Sequence, residues 1–244
     1  MPILETKNLS KHFDALVAVD SVDYSVDSGE LRSIIGPNGA GKTTFFNMIA
    51  GDLLPTSGQV IFDGEDVSEV PAHERSHLGI GRTYQITNIF PKLSVLENIR
   101  IAAQSRKTTF NLWSTVPSHK ELVEKSDEIL ERINLTEKRD ELAGTLAHGE
   151  QRYLEIGIAL ATDPKLLLLD EPTAGMSPEE TLQTGEFIKG LADPLTIVLV
   201  EHDMEVVLGI SDKITVLHNG AFLAEGTVEE VRANAEVQRV YLRE

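Results

Sequence analysis

Residues 36–44 read GPNGAGKTT, with the apolar run LRSII (31–35) before them and FFNMIA (45–50) after them. This fits the pattern G-x-x-x-x-G-K-[ST] in the context that gives it meaning, a buried strand leading through a glycine-rich turn into a helix. Glycines let successive backbone N–H groups turn toward phosphate oxygens, and the helix start adds its positive dipole end. Gly36, Pro37, Asn38, Gly39, Ala40, Gly41, Lys42, Thr43 and Thr44 are therefore the expected phosphate cradle. In it Lys42 reaches the terminal phosphates and the Thr43 hydroxyl faces Mg²⁺.

Further along, KLLLL (165–169) delivers Asp170 and Glu171 at the end of a second apolar run, and LTIVLV (195–200) delivers Glu201 and His202 at the end of a third. Ligands of open α/β sheets gather at the carboxyl ends of the strands. Asp170 is read as the Mg²⁺ anchor, Glu171 as the group that orients or polarises the attacking water, and His202 as a γ-phosphate contact.

Runs of this kind separated by helices define an α/β fold with a mostly parallel core sheet. Alternating stretches at 3–9 and 19–30, and SGQVIFDGEDV (57–67), suit antiparallel strands and a hairpin. Between about 85 and 163 the periodicity turns helical, in VLENIRIAAQ (95–104), HKELVEKSDEILERINL (119–135) and EQRYLEIGIALAT (150–162). We expect one domain over 1–244, with 1–85 and 164–244 forming a nucleotide-binding core plus antiparallel β subdomain and 86–163 an inserted helical subdomain. The stretch SRKTTFNLWSTVPS (105–118) breaks the pattern and reads as an irregular connector.

Composition limits the chemistry. The absence of cysteine excludes disulfides, iron–sulfur clusters and thiolate zinc sites, and the seven histidines lack ligand spacing. A net charge of −17 opposes broad contact with nucleic-acid phosphates, so no nucleic-acid partner is expected. The acidity fits either plain solubility or a high-salt cytoplasm. The start MPILETKNLSKHF has no basic-then-apolar signal pattern, and the apolar runs are too short to span a bilayer. The chain is expected not to cross a membrane alone.

Taken in order, Phe13 in KHFDALVAV, the loop 36–44, Gln85 in RTYQITNIF, LAHGE (146–150), DEPT (170–173) and His202 resemble the ATP-binding cassette ATPases over nearly the whole chain. The resemblance implies the P-loop NTPase fold of that family, ATP and Mg²⁺ as ligands, Phe13 as the adenine-stacking aromatic, and Gln85 in the catalytic and metal-binding group. It also implies that LAHGE stands where the family has L-S-G-G-Q, the element that contacts ATP held by a second subunit. Ala147 then replaces a serine, His148 a glycine and Glu150 a glutamine, while Gly149 is retained. Ser177 stands where many members have an aspartate.

The partners so implied are a second ATPase subunit in a homo- or heterodimer, transmembrane permease subunits and a solute-binding protein. The implied place is the cytoplasmic face of the cell membrane, as a peripheral subunit. Segments 79–99, 201–214 and VRANAEVQRVYL (231–242) are similar to branched-chain amino acid importers, and 164–181 and 214–220 also to urea importers. A soluble cassette ATPase of translation or DNA repair is an alternative that lacks its usual second cassette or long coiled coil here. A small-molecule kinase would leave Gln85, LAHGE and His202 unexplained.

Overall fold

The computed structural model describes residues 2–83, 89–105, 117–192 and 194–240. Two sheets and a set of helices form the fold. The first sheet is antiparallel and runs β2–β1–β4–β5, from β1 (Pro2–Phe13), β2 (Leu16–Asp27), β4 (Ser57–Phe62) and β5 (Glu65–Asp66). The hairpin read in 57–67 is β4–β5, turned by Asp63 and Gly64, both at positive φ, which matches the twist of a two-residue hairpin loop.

The second sheet runs β10–β9–β3–β8–β7–β6, from β3 (Leu31–Ile35), β6 (Ile80–Arg82), β7 (Leu166–Asp170), β8 (Thr196–Val200), β9 (Lys213–His218) and β10 (Ala221–Gly226). All neighbours in it are parallel except the β9–β10 hairpin. The three apolar runs of the sequence are thus its central strands, β3, β8 and β7, each buried throughout. Their continuous apolar character follows from having both faces covered. Alternation still sorts the side chains: Leu167, Leu169, Ile197 and Leu199 join one core, and Leu166, Leu168, Val198 and Val200 join the other.

The first core also takes α3 (Val95–Ser105), α4 (Pro117–Arg132) and α5 (His148–Ala161), so the segment with helical periodicity stacks on one face of the sheet. Residues 106–116, which hold most of the irregular connector, lie outside the described residues. The second core joins the parallel sheet to α1 (Lys42–Ala50) and the antiparallel sheet. A third, smaller core lies under α7 (Met204–Ile210), α8 (Val228–Ala233) and α9 (Ala235–Val240). The remaining α-helices among the described residues are α2 (Ala72–Leu78) and α6 (Pro178–Leu191).

Helix α1 presents the phosphate loop, and both its ends are fixed. A helix leaves its last carbonyls short of intrahelical donors. The Arg75 guanidinium, fully buried, donates to the Met48 and Ile49 carbonyls at 2.7 Å each, and its Nε donates to the Val70 carbonyl at 2.8 Å. Burial lowers its pKa to about 10, which still leaves it charged at neutral pH, against the negative end of the helix dipole.

Candidate functional site

At the carboxyl edge of the parallel sheet, β3, β7 and β8 end side by side, and the residues that follow them form the site. The phosphate loop after β3 is wedged between β2 and the β9–β10 turn. Gly41 has φ 94°, and a β-carbon there would lie 2.5 Å from the Ala18 carbonyl oxygen; one on Gly36 would lie 2.2 Å from that of Leu217. Both positions therefore require glycine. The Gly220 N–H donates to the Ala40 carbonyl at 3.0 Å and the Asp20 N–H to the Gly220 carbonyl at 2.8 Å, which fastens the loop to the hairpin. Asn38 and Gly39 stay exposed at its tip, Pro37 is half-buried and Ala40 is buried. Thr43 is exposed and Thr44 half-buried on the first turn of α1.

Lys42 Nζ donates to the carbonyls of Gly36 at 2.5 Å and Pro37 at 3.1 Å, which sets its ammonium against the loop it follows. Burial lowers its pKa, and the carboxylates of Glu171 and Asp170 oppose that shift. The structure thus brings together Lys42, Asp170 and Glu171, which are far apart in the chain.

Asp170 is 3% exposed. Burial pushes its carboxyl above the usual carboxylate range, against the pull of the Arg82 guanidinium. Arg82 Nη2 lies 3.4 Å from Asp170 Oδ2 and 2.6 Å from Asn47 Oδ1, its Nη1 meets Asp52, and its guanidinium carbon sits 5.3 Å from the Phe46 ring centre. Asp170 Oδ1, by contrast, is buried without a hydrogen-bond partner. An orphaned carboxylate oxygen is costly unless something completes its shell, and a divalent cation does so. The donor set of Asp170 with the Thr43 hydroxyl is oxygen only, which suits Mg²⁺.

Glu171 follows with φ 47°, a left-handed conformation unusual for a residue with a side chain, and its N–H donates to the Val200 carbonyl at 2.9 Å. Strain of this kind costs about 1–3 kcal/mol and tends to mark functional positions. His202 Nδ1 stands 3.9 Å from Glu171 Oε1 and 3.7 Å from Glu201 Oε2, and its ring is mostly exposed. Glu201 itself is fully buried. Its carboxylate accepts from the Thr173 N–H at 3.0 Å, from the Thr173 hydroxyl, from the His202 N–H at 2.9 Å and from the Asp203 N–H at 3.3 Å. The loops after β7 and β8 are thereby tied through one carboxylate.

Sequence reasoning assigned no role to Glu201, Thr173 or Arg82. An acid at a strand end looks the same whether it faces solvent or four internal donors, and nothing in the sequence pairs position 82 with 170. The β9–β10 hairpin was also unread, although Asn219–Gly220, with φ 48° and 78°, carries the Asn-Gly hairpin signal.

Phe13 ends β1 at a hairpin tip, 44% exposed, with Lys11 Nζ 5.3 Å from its ring centre. Through β2 this tip adjoins the backbone that meets Gly41. Gln85 lies outside the described residues.

LAHGE sits at the start of α5, beside the segment that follows Glu171. Ala147 is the residue just before α5, with extended φ −62° and ψ 158° and no side-chain cap. Its N–H donates to Glu150 Oε2 at 2.9 Å, and Glu150 Oε1 lies 3.4 Å from Lys138 Nζ. Ala147 and His148 are exposed. A β-carbon on Gly149 would meet nothing nearer than Glu180 Oε1 and Met176 Cε, both at 4.0 Å. The His148 ring lies beside Gly175, its Cε1 3.6 Å from where a β-carbon would stand. Ser177 caps α6: its hydroxyl accepts from the Glu180 N–H and Glu180 Oε2 accepts from the Ser177 N–H.

Residues 19–174 match the ABC transporter family. The chain is 41% identical to the high-affinity branched-chain amino acid transport ATP-binding protein BraF of Pseudomonas aeruginosa, covering 100% of this chain and 98% of that protein. It is 37% identical to the lipopolysaccharide export system ATP-binding protein LptB of Haemophilus influenzae, with 100% and 98% covered. Among solved structures it is similar to the ADP conformation of an ATP-binding cassette of an ABC transporter, with TM-score 0.87, 34% identity and 100% of each chain covered. A dimeric post-hydrolysis cassette bound to ADP and Pi aligns with TM-score 0.77 and 26% identity, over 92% of this chain and 98% of that one.

Proposed function

This chain belongs to the ABC transporter family as one of its ATPases, and from that premise we propose that it is the motor subunit of an importer for branched-chain amino acids. The observation that carries the ATPase chemistry is the convergence of Lys42 with Asp170 and Glu171 at one sheet edge. Backbone N–H groups of the loop 36–44 and the Lys42 ammonium hold the phosphates, and Phe13 stacks on the adenine. Asp170 and Thr43 hold Mg²⁺, which when bound neutralises charge on the terminal phosphates. Glu171 accepts the proton of the attacking water or fixes its direction, and His202 contacts the γ-phosphate beside it. Little covalent work falls to the protein; position and charge do the rest.

ATP held at this edge needs an anion-binding helix start on the far side of its phosphates as well. The Ala147–Glu150 segment, whose Ala147 and His148 are exposed, supplies one from a second cassette, so two chains close around ATP. Closure and reopening drive permease subunits, which places this chain at the cytoplasmic face of the membrane as a peripheral subunit. Among the described residues no helix is long and apolar enough to cross a membrane. A solute-binding protein delivers the substrate to the permeases.

The solute class rests on relatives named for branched-chain amino acid transport and on the full-length match to them. The test is reconstitution of the chain with its permease partners in vesicles. ATP-dependent uptake of leucine is expected; hydrolysis stimulated by urea, or by a lipid substrate, with no response to leucine overturns the solute assignment.

A further inference from the structure

At the opposite edge of the parallel sheet lies an open cleft of about 620 Å³. Ser28 just before β3, Lys165 just before β7 and Leu195 just before β8 form one wall. Five-residue strands span about 17 Å, so this cleft and the phosphate loop lie at opposite ends of the same strands. A second wall comes from β1 and the β4–β5 turn, with Ile3, Glu5 and Asp63, and a third from the carboxyl ends of α4 and α5, with Arg132 and Leu160.

The lining has a definite chemistry. Ile3, Leu160 and Leu195, each less than a tenth exposed, make an apolar floor. Lys165 Nζ and Asp63 Oδ2, 2.5 Å apart, neutralise one another. Asp163 also lines the cleft and has a partner of its own, so two charges remain on separate walls. Among the described residues Arg132 pairs with no carboxylate, and Glu5 has one cationic partner, Lys7 at 3.9 Å. A simple anion would satisfy Arg132 and leave Glu5 opposed. A neutral apolar molecule would strip water from both charges without replacing it. A molecule with a carboxylate for the planar Arg132 fork, an ammonium for Glu5 and an alkyl group for the floor answers every feature.

We propose that this cleft binds a zwitterionic amino acid with a large apolar side chain and that its occupancy restrains α5. The cleft holds Leu160 near the end of that helix, and the segment Ala147–Glu150 sits at its start, about 20 Å away along 14 residues. A ligand that ties the end of α5 to β1 limits how the start can reach a second cassette. The importer reading gives this contact its physiological sense, since solute accumulated inside would slow its own uptake; the chemistry of the cleft does not depend on it.

Calorimetry on the purified full chain provides the test, with L-leucine as probe and 4-methylpentanoate and isoamylamine as the analogues that lack its ammonium and its carboxylate. Leucine is expected to bind with Kd at or below about 1 mM, each analogue at least tenfold more weakly. Arg132→Ala and Glu5→Gln are each expected to weaken leucine roughly tenfold while leaving ATP affinity unchanged. Absence of leucine binding at about 10 mM, equal binding of 4-methylpentanoate, or indifference to both substitutions overturns the site. Leucine should also slow ATP hydrolysis by the wild-type chain but not by the Arg132→Ala chain; binding without that effect overturns the coupling to α5. These outcomes are independent of the vesicle experiment. A transporter that moves another solute while leucine fills the cleft refutes the importer reading alone, and leucine uptake with an inert cleft refutes this proposal alone.

Discussion

In the proposed mechanism the carboxyl edge of the parallel sheet and the start of α5 both bear on nucleotide chemistry, yet they are built in opposite ways. At the sheet edge nearly every polar group has an internal partner: Arg82 spans Asp170, Asn47 and Asp52, Glu201 gathers four donors, and backbone oxygens lie where any β-carbon on Gly36 or Gly41 would fall. At the start of α5, Ala147 and His148 face solvent and Gly149 has free space beside it. One half is preorganised within the chain; the other is a surface. A site divided in this way separates the cost of ordering from the moment of closure, because only the preorganised half must be held in place before a second molecule arrives. Substitutions should therefore divide too, into those that damage chemistry or folding within one chain and those that damage only the encounter.

The largest expected effects lie in the preorganised half. Glu171→Gln should lower ATP turnover roughly 10²-fold or more while keeping ATP binding, and should accumulate an ATP-bound dimer visible by size-exclusion chromatography. Lys42→Ala acts on an earlier step and should weaken ATP binding itself, measured by calorimetry. Wild-type turnover in the first variant, or unchanged affinity in the second, would break the assignment of this edge as the place of chemistry.

Glu201 provides the next test. Glu201→Ala leaves the N–H groups of Thr173, His202 and Asp203 and the Thr173 hydroxyl without their acceptor in a buried place. A loss of about 3 kcal/mol in folding stability is expected, read from urea unfolding, together with reduced turnover because Glu171 and His202 lose their common brace. Unchanged stability would mean that the two strand-end loops hold their geometry without this carboxylate.

The contrast also explains what the sequence could disclose. The central strands were legible because a strand buried on both faces must be apolar throughout, as in LRSII, KLLLL and LTIVLV, and the phosphate loop because its glycines answer a local steric demand. The helical character of 95–104, 119–132 and 150–161 showed in its periodicity. Long-range partnerships left no such trace: Arg82 with Asp170, or Glu201 with Thr173, depend on which strands become neighbours in the order β3–β8–β7–β6. Roles at LAHGE came from family resemblance, since an exposed helix start makes no local demand beyond its cap.

Gly149→Asp tests the surface half. Within one chain the new side chain finds room, since its β-carbon meets nothing nearer than 4.0 Å, and surface substitutions of this kind usually change stability by less than about 0.5 kcal/mol. Across a dimer the carboxylate would face the phosphates of the other chain's ATP. Loss of about tenfold or more in ATP-driven dimerisation is expected with little change in melting temperature. If the chain pairs with a different ATPase, the loss should appear only in the mixed complex, at ATP bound by the partner. Full activity alone and in the mixed complex would reduce LAHGE to a helix start.

The smallest effect is the most discriminating, because Ala147 occupies the N-cap position of α5 and Glu150 already reaches back to its N–H. Ala147→Ser would complete a reciprocal S-x-x-E cap, since the new hydroxyl accepts from the Glu150 N–H. That alone is worth about 1 kcal/mol, or a rise of roughly 2–4 °C in melting temperature for a chain of this size. The same hydroxyl keeps its hydrogen free to donate to phosphate across the dimer, a contact worth about 0.5–1.5 kcal/mol, so ATP-driven dimerisation should also rise by a few fold. Ala147→Asp separates the two contributions. Its carboxylate caps the helix as well as a serine does but has no proton to donate and repels phosphate, so the melting temperature should rise while dimerisation falls. If serine and aspartate raise stability together and leave dimerisation equally unchanged, position 147 serves its own helix and touches no nucleotide.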